Sequence, residues 1–126
     1  MLWLTNGAGL LLALAIIAIG TGYIASPTTM MRSFGLPLPE DGPNVAWWLR
    51  LKGVRDIVAG LLVLAFMTWG SQREVGMVLL IEAMIPAGDM LLVLAAKGST
   101  KSAFAIHSLT AAIMVLVAIP MMIGAD

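Results

Sequence analysis

The sequence predicts an all-α integral membrane protein, an antiparallel bundle of four transmembrane helices forming one domain over residues 1–126. Three observations carry that expectation. The first is composition: 60% of residues are hydrophobic, 11% are charged and the mean hydropathy is +1.00. A soluble domain has about 45–50% apolar and about 25% charged residues, so the solvent expected here is lipid. The second is the presence of four long apolar runs without period-two alternation, which argues against strands. The third is the brevity of the polar connections between the last three runs.

The first span is expected from about Leu2 to Ile24. It lacks a basic leader and continues past signal-peptide length, so it is read as a retained helix. Asn6, Gly9, Ala13, Gly20 and Tyr23 make a mostly small stripe on it, suited to packing rather than chemistry. The connection "SPTTMMRSFGLPLPEDGPN" follows and holds Pro27, Pro37, Pro39 and Pro43. It is expected either to cover one mouth of the bundle or to be a plain Pro-rich loop.

The second span is expected from about Val45 to Trp69. Its charge-free part, Ile57 to Trp69, gives only about 20 Å of helix, short of a hydrocarbon core of about 30 Å. To cross, the helix has to draw Arg55 and Asp56 inward. Trp47 and Trp48 then lie at one interface and Trp69 at the other. Arg50 and Lys52 are expected to snorkel to the near surface. Gly53 and Gly60 flank Asp56 on its own face, and Lys52 lies one turn before it.

"GSQRE" leads to the third span, about Val75 to Ala96, and "KGSTKS" to the fourth, about Ala103 to Ile123. The third carries Glu82 and Asp89 two turns apart on one face, with Pro86 between them to free a carbonyl and kink the helix. The fourth carries a stripe of His107, Thr110, Ala111 and Met114. Arg32, Lys97 and Lys101 lie in the first and third loops and only Arg73 in the second. The positive-inside rule therefore places those two loops in the cytoplasm and the termini outside.

Several function classes are remote. Seven basic residues balance seven acidic ones, so no basic face offers itself to nucleic acid. With no Cys and one His, thiol catalysis and disulfides are excluded, and neither a metal site nor a cofactor is expected. The ten methionines read as apolar filler. What remains are the ionisable residues of the spans. Measured from the side of the first and third loops at 1.5 Å per residue, Arg55 and Asp56 lie about 15 Å deep. Asp89 lies about 10–12 Å deep, His107 about 6 Å and Glu82 about 20 Å. They converge on one half of the bundle. A charge at a helix centre costs about 2.5–3.5 kcal/mol on insertion scales, so several together imply a use. An ion pair fixing helix register explains any one pair, and explains the whole set less well.

These residues also carry a family resemblance. "FGLP", "KGVRDIVAG", "GD" and the His early in the fourth span resemble a family of small four-helix membrane proteins of DUF4267 type, a domain of unknown function that is loosely DoxX-like. The resemblance covers nearly the whole chain. It implies a role for Arg55, Asp56, Asp89 and His107, and it implies no activity. Glu82 rests on depth and face alone.

The expected function is acid/base chemistry on a lipophilic small molecule within the membrane: isomerisation, epoxide opening or cyclisation. Asp56 and Asp89 are the expected acid and base and His107 the proton relay. Arg55, paired with Asp89 or Asp56, would hold one carboxylate ionised. Arg50, Arg55, Glu82, Trp48 and Thr110 are the expected substrate contacts. The expected partners are the lipid bilayer and the lipophilic molecule, with a homo-oligomer possible. Two alternatives stand: a proton-coupled transporter working as a dimer, and an accessory subunit pairing its charges with another chain.

Overall fold

The structure, a computed structural model, describes residues 1–124. Among those residues it is all-helical and has no strand. The elements are α1 (Leu2–Ala25), α2 (Pro27–Phe34), α3 (Val45–Trp69), α4 (Gln72–Glu82), α5 (Met84–Ala95) and α6 (Thr100–Ser102). A π-helical segment, Ala103–Ser108, then runs into α7 (Leu109–Ile123). Three helical stretches, Leu2–Ala25, Gln72–Ala95 and Thr100–Ile123, are each 24 residues long and apolar enough to cross a membrane. α3 has comparable length. It differs because its first half carries Arg50, Lys52, Arg55 and Asp56.

Side-chain size is distributed as in a protein dissolved in lipid. Large residues such as Leu11, Val58, Leu61, Leu92 and Leu116 are exposed on the helix exteriors, and the interior of α1 is Gly9, Ala13, Gly20 and Tyr23. In lipid, where no water drives Leu inward, small residues are what let helices approach and gain contact. α3 answers α1 with Gly53, Asp56, Gly60 and Val63. Gly20 meets Gly53 while Gly60 meets Ala13, so α1 and α3 run in opposite directions. Gly76 of α4 meets Ala118 and Met122 of α7, while Asp89 of α5, farther along, faces His107 ahead of α7, so these stretches are antiparallel as well. An apolar core of Ala13, Val63, Val75, Leu79, Ala83, Met114, Ala118 and Met121 fills one half of the molecule.

Polar ties close both ends. At one, Gln72 donates to the Asn6 side chain at 2.9 Å, and a capping box between Ser71 and Glu74 starts α4. At the other, the Ser99 amide donates to the Gly35 carbonyl at 2.8 Å, joining the first connection to the third.

Two helices depart from regularity beside the charged residues. The third expected span is broken at Ala83 into α4 and α5. Pro86 has no amide hydrogen for the Glu82 carbonyl, and its ring crowds that carbonyl. In the fourth, the Leu109 amide reaches back to the Phe104 carbonyl, which is the wide turn of a π-helix.

The connection after α1 is not the simple loop that its prolines suggest. Its first part folds as α2, with Pro27 at the first turn, where its fixed φ is an advantage, and Gly35 closing the helix at φ 105. Only the remainder, Leu36 to Asn44, is irregular, and its Leu36 to Pro39 part forms a cover.

Candidate functional site

The half of the molecule opposite the apolar core is organised by five polar side chains from four elements. α3 supplies Asp56, which is only 8% exposed. One helical turn earlier, Lys52 turns inward and places its Nζ 2.6 Å from Asp56 Oδ2. The same ammonium lies 4.3 Å from the centre of the Tyr23 ring and 5.3 Å from that of Phe34. Lys52 is thus held by one carboxylate and two aromatic faces. Tyr23, on α1, is buried, and its hydroxyl donates to the Met30 carbonyl at 3.4 Å.

α5 supplies Asp89 and the π-helical segment supplies His107, which is 5% exposed. His107 Nε2 lies 2.7 Å from the Phe34 carbonyl oxygen. A carbonyl only accepts, so Nε2 carries the hydrogen and donates it, and Nδ1 is left facing Asp89. Nδ1 and Asp89 Oδ2 are 4.0 Å apart, an ion-pair distance rather than a hydrogen bond. The Phe34 ring packs on the imidazole at 4.4 Å between centroids. α2 therefore acts on the site at its last residue, fixing the imidazole by both carbonyl and ring.

These groups face one cavity of about 170 Å³, lined by Tyr23, Lys52, Asp56, Asp89, His107 and Thr110 with Ile16, Ile19 and Ile106 around them. Thr110 donates its hydroxyl to the Ile106 carbonyl at 2.6 Å and keeps its oxygen lone pairs for the cavity. A smaller cavity of about 60 Å³ adjoins at Asp56 and reaches Glu82, Leu79 and Met114. Glu82 is half-buried and has no hydrogen-bond or ion-pair partner among the described residues. A third space, lined by Tyr23, Phe34, Leu36, Leu38, Leu49 and Lys52, lies beneath the irregular cover. No three His, Asp or Glu side chains among the described residues are grouped to hold a metal ion.

Asp56, Asp89, His107 and Thr110 are thus together, with Glu82 one cavity away. Trp48 and Arg55 lie on an outer cleft that also touches Asp56 and Asp89. Arg50 is used elsewhere: its Nε donates to the Ile24 carbonyl at the end of α1 at 3.1 Å, and its guanidinium lies over Trp47.

Two expectations are corrected. Arg55 does not pair with Asp89 or with Asp56: Asp56 has Lys52 and Asp89 faces His107. Lys52 does not snorkel outward. The reason is azimuth. Residues i and i+4 share a helix face, so Lys52 points where Asp56 points. Arg55, one residue before Asp56, is rotated by about 100° and lies on the exposed surface. Tyr23, Lys52 and Phe34 are site residues that the sequence reading did not assign. The Lys52–Asp56 spacing and the lone tyrosine on a small-residue stripe were usable signals. Phe34 offered only the Pro27 to Gly35 punctuation of a short helix.

The pairing has a measurable consequence. Lys52→Met leaves a buried carboxylate without its counter-charge, and should lower stability by about 1–3 kcal/mol, Lys52 being partly exposed. Adding Asp56→Asn should restore most of the loss, and Arg55→Met alone should change little. Thermal unfolding in detergent reads all three variants. If Arg55→Met were the damaging one, this assignment of partners would be wrong.

The fold and site define a class: an all-helical protein with helices long and apolar enough to span a membrane and a partly buried cluster of two carboxylates, a histidine and an ammonium at one end. The chain belongs to the family described as domain of unknown function (DUF4267), whose model matches residues 13–121. No curated protein and no solved structure matches the chain.

Proposed function

We propose that the chain is a four-span antiparallel membrane bundle that carries out cofactor-free proton-transfer chemistry on a lipophilic small molecule. α3 is the fourth span, its inward charges compensated by the Lys52–Asp56 pair. The observation that carries the reading is the convergence of Tyr23, Lys52, Asp56, Asp89 and His107 on one mostly apolar cavity. Few polar groups on apolar walls are the usual profile of a small-molecule site.

In this reading Asp89 takes a proton from a substrate carbon and shares it with Nδ1 of His107, whose Nε2–H is already anchored on Phe34. The Lys52 ammonium, aimed by Asp56, donates to a substrate oxygen and stabilises the negative charge that develops there. Asp56 then works through Lys52 rather than as a free acid. Returning the proton to a different carbon gives an isomerisation that consumes nothing. Epoxide opening and cyclisation use the same groups. Glu82 lines the far end.

The topology is tested with single cysteines, which the chain itself lacks. Gly42→Cys and Lys101→Cys should label with an impermeant maleimide from the cytoplasmic side, and Arg73→Cys from the other. Labelling of Gly42→Cys and Arg73→Cys from one side would defeat the four-span arrangement. The chemistry is tested on any lipophilic molecule found to co-purify with the protein, by mass spectrometry after incubation in deuterium oxide. Deuterium should enter at carbon only with active protein. A molecule bound between two chains, away from these residues, would favour a dimeric transporter instead.

A further inference from the structure

α3 packs along α4 but makes hardly any contact with α5. The change falls at the Ala83 break, where Pro86 redirects the helix. Between the first half of α3 and α5 it leaves an open cleft of about 490 Å³, within the range of about 300–1,000 Å³ for small-molecule sites. Its outer lip is Trp48, Leu51 and Ile85, all exposed on the helix exteriors that elsewhere face lipid. Its floor is Lys52, Asp56 and Asp89. Those three, with Ile85, also border the polar cavity, so cleft and cavity are continuous.

The charges along this passage are unequally committed. Asp56 has Lys52 at 2.6 Å and Asp89 has His107 at 4.0 Å. Arg55, on the lip, has no acidic partner within 4.0 Å among the described residues. It is the one uncommitted charge of the cleft, and it is a cation. A guanidinium at this depth of a helix is costly unless an anion meets it. Its planar fork fits a carboxylate or phosphate through two parallel hydrogen bonds.

We infer that the cleft between α3 and α5 is a lateral opening to the bilayer for a single-chain amphiphile with an anionic head, carboxylate or phosphate, which Arg55 recognises. The head sits at Arg55 beside Trp48, and the apolar body follows Leu51 and Ile85 past Asp56 and Asp89 into the cavity. This rests on the proposed function and adds its substrate class. The occupant is the free amphiphile, not a headgroup of the bulk bilayer.

The experiment reads binding alone, so its failure is separable from a failure of the chemistry. The full chain is placed in nanodiscs of zwitterionic lipid and titrated with dodecanoate, dodecyl phosphate and dodecanol. The two anions should bind at least tenfold more tightly than the alcohol. Arg55→Gln should remove that advantage and leave dodecanol binding unchanged. Arg55→Lys, which keeps the charge and loses the fork, should fall between. Adding anionic lipid to the nanodisc should leave the anions' advantage in place. Equal binding of acid and alcohol by the unmodified chain would overturn the inference, as would acid binding indifferent to Arg55→Gln. Loss of the advantage in anionic lipid would assign Arg55 to the bilayer headgroups and overturn it too. Arg55 is exposed, so both variants are expected to fold; a variant that does not fold while the Lys form binds normally would also count against the assignment.

Discussion

Gly60→Leu is expected to leave no folded, monodisperse protein, and Gly20→Leu to do the same. An added Cβ has no room at either position. At Gly60 it would lie 2.7 Å from the Ala13 carbonyl oxygen and 2.5 Å from Ile17 Cγ1. At Gly20 it would lie 2.6 Å from the Gly53 carbonyl oxygen and 2.9 Å from the Ile57 amide nitrogen. Apart from Ile17 Cγ1 these obstacles are backbone, and a backbone cannot change rotamer. The whole of α1 has to move off α3.

Two effects compete in the milder substitution. Gly→Ala in a helix interior gains about 0.5–1 kcal/mol of helix propensity. Overpacking costs about 1–3 kcal/mol. At Gly60 and Gly20 overpacking should win, so Ala destabilises and Leu unfolds. At Gly7 nothing lies within 4 Å of the added carbon, and only the propensity gain remains. Gly7→Ala is therefore the control and should stabilise slightly. Size-exclusion profiles and thermal unfolding in detergent decide the matter. Full retention of fold in Gly60→Leu would mean that α1 and α3 are not packed face to face. The consequence extends to the site, because Tyr23 rides on α1 and Lys52 and Asp56 ride on α3. Parting these helices separates the ammonium from the ring 4.3 Å away.

The same glycines explain why so much of this molecule was legible in its sequence. In lipid the packing stripe is made of small residues, and Gly9, Ala13 and Gly20 announce it, as do Gly53 and Gly60. Helix existence followed from apolar length, and α3 kept its expected bounds of Val45–Trp69. The convergence of Asp56, Asp89 and His107 followed from counting residues along the helices. Counting gives depth and not azimuth, which is why Arg55 was expected inside and Lys52 outside. Adding the turn of about 100° per residue reverses the two. The tie from Phe34 to His107 spans 73 residues of sequence. It depends on how α2 folds back under the third connection, through the Gly35 carbonyl and the Ser99 amide. No local pattern encodes a contact of that range. The π-helical turn at His107 was equally silent, since nothing in "AFAIHS" departs from ordinary helical composition.

Asp89→Asn is expected to reduce turnover by about 10²- to 10⁴-fold, the range for a positioned general base, with the fold intact. Asparagine keeps the shape of aspartate and cannot take a proton. Asp89 lies on α5 just beyond the Pro86 turn, half-buried, and Nδ1 of His107 faces it at 4.0 Å. His107 is fixed from its other nitrogen by the Phe34 carbonyl at 2.7 Å, so the imidazole cannot turn to compensate. His107→Gln should therefore lose activity as well. It should also loosen α2, because a glutamine amide reaches the carbonyl without the ring contact to Phe34. The two variants are distinguishable: Asp89→Asn should leave thermal stability near that of the unmodified chain, and His107→Gln should lower it. The readout is deuterium entering the co-purified lipophilic molecule at carbon. Asp89→Asn should hold that molecule and fail to exchange it. Exchange at an undiminished rate in Asp89→Asn would remove the proton acceptor from the mechanism. The Asp89–His107 contact would then be a register-fixing pair between α5 and the π-helical turn, and the cavity a binding site without chemistry.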